Sequence, residues 1–129
     1  MTKRKSVYIG GFSHKNPIPN ACRIGNLLET GVINGTDPAT GKIAPTLEAQ
    51  CAHMFQHVRE IVEAGGGTTD DILKVTVWLA DHSNREALNR EWLKMFPDHD
   101  SCPARHALPK VGGGDALIQC VFTAVIGQQ

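Results

Sequence analysis

Arg105 is the residue whose surroundings ask most of it. It stands in the stretch "CPARHAL", Cys102 to Leu108, which is small, apolar and strand-like behind a proline that holds the preceding residue extended. A guanidinium half-buried in such a strand is costly without an anionic partner, and the stretch itself holds no acid. Its rigid fork matches a carboxylate gripped by two parallel hydrogen bonds. An ion pair between subunits would satisfy the same group.

His53 and His57 raise a second possibility, metal binding, because an i, i+4 spacing sets two imidazoles on one side of a helix. Met54 stands where a metalloprotease helix would carry its glutamate. The apolar stripe Leu47, Cys51, Met54, Phe55, Val58, Ile61 and Val62 leaves both histidines on the solvent side, so no metal site is expected. The glycines at 112–114 resemble a phosphate cradle only superficially. No Lys-Ser/Thr and no helical pattern follows them, which makes them a hairpin loop. No cofactor is implied.

The elements that must position Arg105 follow from local chemistry. "SVYIGGF" reads as an opening strand, and Gly25-Asn26 turns a hairpin whose second strand is Leu27 to Ile33. "NGTDPATGKI" is turn chemistry. Thr46 then caps a helix that runs to about Ala64 and stops at Gly65, Gly66 and Gly67. "DILKVTVWLAD" is a central strand, and "SNREALNREWLKMF" a second helix with Ser83 as its cap. "CPARHALPKV" and "ALIQCVFTAVIG" finish the chain as strands. In the last, Cys120, Phe122 and Ala124 point toward the helices and Gln119, Val121, Thr123 and Val125 point away. Two helices cover only one face of such a sheet, so self-association is expected to cover the other.

Composition narrows the partners. The chain of 129 residues is one domain, with 13 basic and 13 acidic residues. Zero net charge counts against a nucleic-acid binder, and Lys3, Arg4 and Lys5 read as a solvated tail. No apolar run reaches membrane-spanning length and no secretion signal is recognisable, so a cytoplasmic protein without membrane contact is expected. Cys22, Cys51, Cys102 and Cys120 form no close pair and read as free thiols.

In order and spacing, "RIGNLLETG" (23–31), "DPATGKI" (37–43), "VEAGGGTTDDILKVTVWLAD" (62–81), "ALNREW" (87–92) and "PAR" (103–105) resemble the RidA/YjgF family of enamine and imine deaminases. The resemblance implies an α+β, chorismate-mutase-like fold: a mixed six-stranded sheet with two helices on one face. It further implies a homotrimer around a central β-barrel, with ligand clefts between subunits. By the same resemblance Arg105 grips the substrate carboxylate, with the Ala107 amide, Thr30, Gly31 and Asn89 around it. Asn89 serves equally as a helix or loop hydrogen-bonding residue, and Thr30 and Gly31 equally as a β-bulge.

Five positions depart from the family pattern, the mildest being Ala107, which stands at a small Ser/Thr/Cys position where only the backbone amide need matter. Gln119 stands where family deaminases carry a water-positioning glutamate, and an amide holds a water without accepting its proton. Ile18 replaces a tyrosine, and Val32 a glutamine. Glu29 replaces an apolar residue, but strand parity turns it away from the cleft, and the same test removes His106 as a base. Hydrolysis of a small 2-imino or 2-enamino acid remains the first expectation, since positioning alone contributes to an intrinsically easy reaction. A pathway-specific deaminase of a larger enamine, such as an aminoacrylate or aminomuconate, is a variant of it. A trimer that binds small carboxylates without turnover is the alternative. RNA cleavage, ascribed to some members, would need a basic groove and an acid/base pair that the sequence does not offer.

Overall fold

The computed structural model describes residues 3–127. Its strands are β1 (Arg4–Val7), β2 (Ala21–Ile24), β3 (Leu27–Thr30), β4 (Ile33–Asn34), β5 (Thr36–Asp37), β6 (Lys42–Ile43), β7 (Ile72–Leu79), β8 (Ala104–Pro109) and β9 (Ile118–Val125). Helix α1 (Leu47–Ala64) precedes β7, and α2 (Glu86–Met95) joins β7 to β8. The main sheet runs β1-β2-β3-β9-β7-β8, with β4 also paired to β9. Among the described residues only β7 and β8 pair in parallel, as a helical crossover requires. The six-strand path matches the expectation; β4 is an addition to it.

Sequence and structure part in several places, each with a local cause; among them, β8 and β9 flank β7 instead of pairing with each other, so the glycines at 112–114 do not turn a hairpin. The opening strand ends at Val7, because Gly10 and Gly11 break the alternation and Phe12 turns into the core. Asn20 holds that loop: its Oδ1 accepts from the Ile9 N–H at 3.0 Å and its Nδ2 donates to the Phe12 carbonyl at 2.9 Å. The turn-forming segment after Asn34 closes as the small hairpin β5–β6, with Gly41 at φ 74°. Ser83 does not cap α2. Its N–H and hydroxyl both donate to Asp81 Oδ1, at 3.1 and 2.6 Å, which turns the chain before the helix. Arg85 therefore occupies the cap position, with no side-chain cap bond.

The strand expected from Leu27 to Ile33 is interrupted by a β-bulge. Glu29 pairs with Thr123 and Ile33 with Cys120, so the β3–β4 strand carries one residue more than β9 between those pairs. The Phe122 N–H donates to Thr30 Oγ1 at 3.1 Å instead of to a backbone carbonyl. The extra residue flips side-chain parity, so that Leu28 and Ile33 are both fully buried. It leaves Val32 on the surface.

Helix α1 begins as expected, with Thr46 Oγ1 accepting from the Ala49 N–H at 3.2 Å. Its apolar stripe packs on Val75, Val77 and Leu79 of β7 and Ile118, Cys120 and Phe122 of β9, all buried. Each such side chain contributes about 1.5–3 kcal/mol. The buried strip is wider than the apolar residues alone. His57 is 1% exposed, contrary to the solvent-side placement expected of it. The β5–β6 hairpin covers that flank of α1; His57 Nε2 donates to the Thr36 carbonyl at 2.8 Å and its ring stacks on Phe12 at 5.3 Å. A neutral imidazole tolerates burial once a backbone group satisfies it. His53 lies instead with its Nε2 3.9 Å from Asp37 Oδ2. Among the described residues no helix is long and apolar enough to cross a membrane.

Candidate functional site

Arg105 lies on the edge strand β8, beside Val75 of β7, and shares with it the face that the helices cover. Its guanidinium carbon is 5.0 Å from the centre of the Trp92 ring of α2, a cation–π contact. Burial pushes its pKa below the usual arginine value, and the positive charge of Arg85 pushes the same way. Among the described residues no carboxylate lies within ion-pairing distance of it. The cost anticipated from the sequence is therefore present, and no carboxylate among the described residues compensates it.

Ala107 shares the face of Arg105, and its carbonyl lies 3.1 Å from His82 Nε2. His82 Nε2 also lies 2.9 Å from Arg85 Nη2. Asn89 is exposed on α2, three residues before Trp92 and four after Arg85, a spacing that shares one strip of helix. His106 points to the opposite face, with Thr76 and Val121, as its parity required.

Gln119 is elsewhere. It sits beside Trp78 and Asn34 on the sheet face away from the helices. There it lines a cleft of about 800 Å³ together with Phe12, His14, Val32, Asn34 and Lys42. Val32 reaches this cleft because of the bulge. His14 also lines a neighbouring cavity of about 210 Å³ that holds the exposed Ile18. A Cβ added to Gly31 would stand 3.5 Å from His14 Nε2, an ordinary contact, which puts Gly31 beside His14 without requiring a glycine there. Thr30 is engaged with the backbone of β9, and its carboxylate neighbour Glu29 accepts from Thr123 Oγ1 at 2.6 Å.

The sequence-derived residues thus divide into two groups. Arg105, Ala107 and Asn89 cluster at the β8–α2 edge; Val32 and Gln119 line the larger cleft beside His14, Ile18 the smaller cavity on the other side of His14, and Gly31 stands close to the His14 ring. One copy of the chain does not bring the groups together. His14 and the Trp92 platform went unremarked in the sequence, where an isolated histidine and a helical tryptophan carry no spacing signal. The buried thiols are poor nucleophiles: burial pushes Cys51 up to about 12, and Cys120 higher still.

Comparison with known proteins gives this fold a lineage. The model of the Endoribonuclease L-PSP family matches residues 12–111, a span that includes Arg105 and stops short of Gln119. A RutC family protein of Haemophilus influenzae is 34% identical over 91 residues, 69% of this chain and 70% of that one. The 2-iminobutanoate/2-iminopropanoate deaminase of Salmonella typhimurium is 31% identical over 90 residues, with 69% and 70% covered. In three dimensions the YjgF gene product of Escherichia coli superposes with a TM-score of 0.83 at 26% identity, over 94% of this chain and 98% of that one. RidA of a Psychrobacter species gives 0.85 at 22%, over 95% and 99%. The chain belongs to the RidA/YjgF family, whose family model carries the name Endoribonuclease L-PSP.

Proposed function

We propose that the chain assembles as a homotrimer and hydrolyses small 2-imino or 2-enamino acids to 2-oxo acids in clefts between subunits. The observation that carries this reading is the Arg105 guanidinium, half-buried on Trp92 and without an acid among the described residues. A substrate carboxylate supplies the missing charge, through a bidentate contact worth about 1.5–3 kcal/mol. The separation of Arg105 from Gln119 within one protomer supports a shared site, with Arg105 on one wall and Val32, Gly31 and Gln119 of a second copy on the other. Parts of the helix-free sheet face, such as Leu27 at 48% and Val125 at 37% exposed, suit burial against that copy.

In the reaction, a water oxygen bonds to the imine carbon and the C=N electron pair moves to nitrogen. A water proton follows it there to give the carbinolamine, whose hydroxyl proton then passes to the nitrogen; the C–N bond breaks, ammonia leaves and the oxygen closes the C=O of the 2-oxo acid. Gln119 orients the water through its amide but accepts no proton, so positioning carries the rate enhancement. The same substitution favours a second reading, a trimer that binds small carboxylates without turnover. Competition between the protein and semicarbazide for imino acid released by an amino-acid oxidase separates them: an enzyme lowers the trapped fraction, and a binder leaves it unchanged.

A further inference from the structure

We propose that Arg85 and His82 form a second anion subsite beside Arg105, so that the preferred ligand is a dicarboxylic 2-imino or 2-oxo acid. The inference rests on Arg105 binding a carboxylate and goes on to name the substrate class.

Contacts place the three residues together. Trp92 stacks on Arg105, and Arg85, the cap residue of α2, lies near enough for its charge to act on Arg105. From the other direction, the carbonyl of Ala107, two residues along β8 from Arg105, meets His82, and His82 meets Arg85. Two guanidinium groups and an imidazole therefore gather at one sheet edge. Among the described residues no carboxylate pairs with either arginine; Glu86, next to Arg85, is engaged with Arg90 at 3.3 Å. An anion on Arg105 leaves the Arg85 guanidinium, whose Nε donates to the His82 carbonyl at 3.3 Å, able to take a second one.

The hydrogen bonds of His82 point the same way. Its Nε2 faces a donor, Arg85 Nη2 at 2.9 Å, and an acceptor, the Ala107 carbonyl at 3.1 Å. A lone pair on Nε2 serves Arg85 and abandons the carbonyl, whereas a proton there serves the carbonyl and opposes Arg85. The conflict ends when Arg85 turns to an anion and His82 Nε2 donates to Ala107. A ligand carrying its second carboxylate at that point satisfies Arg85, His82 and Ala107 at once. Ile18 and Val32 add no charge to the opposite wall, but Lys15, Lys42 and Asp115 line the same cleft, so the Arg85 and His82 variants decide which side selects.

The test is calorimetric titration of the full chain with 2-oxoglutarate and 2-oxobutanoate, using wild type, Arg85→Gln, His82→Gln and Arg105→Ala, with sedimentation of each. Wild type is expected to bind 2-oxoglutarate about tenfold or more tightly than 2-oxobutanoate. Arg85→Gln should bring that ratio toward one, His82→Gln should reduce it, and Arg105→Ala should abolish binding of both acids. Equal affinities in wild type, or an unaltered ratio in Arg85→Gln, overturn the subsite while Arg105 binding stands. Dissociation of the assembly in Arg85→Gln overturns it too, by making Arg85 an intersubunit ion-pair residue. If neither acid binds and Arg105→Ala changes nothing, the reading of Arg105 falls first and the subsite with it.

Discussion

Arg105 and Gln119 lie on opposite faces of one sheet. Arg105 aligns with Val75 and Phe122 under the helix layer, and Gln119 with Trp78 and Leu108 on the uncovered side. Two strand spacings and three residues along the strand also separate them, roughly 9.5 Å across and 10 Å along. A site that uses both needs a second copy of the chain. Mixing inactive Arg105→Ala with inactive Val32→Trp, whose bulk would block the other wall, should therefore restore activity. At equal ratio about a quarter of the clefts would be intact on both walls. Activity assays after co-refolding check this, and no recovery would place both walls in one protomer.

Gln119→Glu returns a carboxylate to the cleft wall, where it can take a proton from water. Imine hydrolysis should rise about tenfold or more, and steady-state rates with one imino acid check it. An unchanged rate would show that the attacking water does not sit at residue 119.

Gln50 controls how the chain reaches that wall. This residue is buried, donates to the Ala44 and Asp115 carbonyls at 2.8 and 3.1 Å, and accepts from the Leu117 N–H at 2.8 Å. Gln50→Leu would leave three buried or half-buried backbone groups unsatisfied. The expected loss is about 2–4 kcal/mol in denaturant unfolding, with looser ligand binding at the Gln119 cleft.

Gly35 is the point of closest approach between the β4–β5 bend and α1. An added Cβ would fall 2.3 Å from Gln50 Cα, which is backbone and has no rotamer to escape into. Gly35→Ala should cost about 1–3 kcal/mol, measured as a shift in the unfolding midpoint at constant slope.

His57 gives stability a pH dependence. Burial lowers its folded pKa, and Nδ1, which would carry the added proton, has no hydrogen-bond partner among the described residues. The unfolded ring takes a proton at about 6.5, the folded ring only at lower pH. Between those values the unfolded state holds more protons, so stability falls as pH drops below about 6.5. Thermal unfolding of wild type and His57→Gln across pH 5 to 8 checks the sign: the difference between them should shrink toward low pH.

Much of the fold was legible because it rests on local rules. Thr46, the glycines at 65–67 and the alternation of Cys120, Phe122 and Ala124 all act where the sequence places them. The bulge at Thr30–Val32 was legible only as one of two options, since register depends on the partner strand. The burial of His57 was not legible, because the hairpin that covers it arrives from elsewhere in the chain. Among the site residues, Arg105 declared itself by its cost. Its distance from Gln119 did not, since faces are compared only once the strand order is known.

The most direct test of the account is the semicarbazide competition on wild type and Arg105→Ala, with sedimentation confirming that both assemble alike. The account predicts that wild type diverts imino acid from the trap and that Arg105→Ala does not. Equal diversion by both proteins would contradict it, because a deaminase indifferent to Arg105 leaves that guanidinium without the carboxylate that explains it.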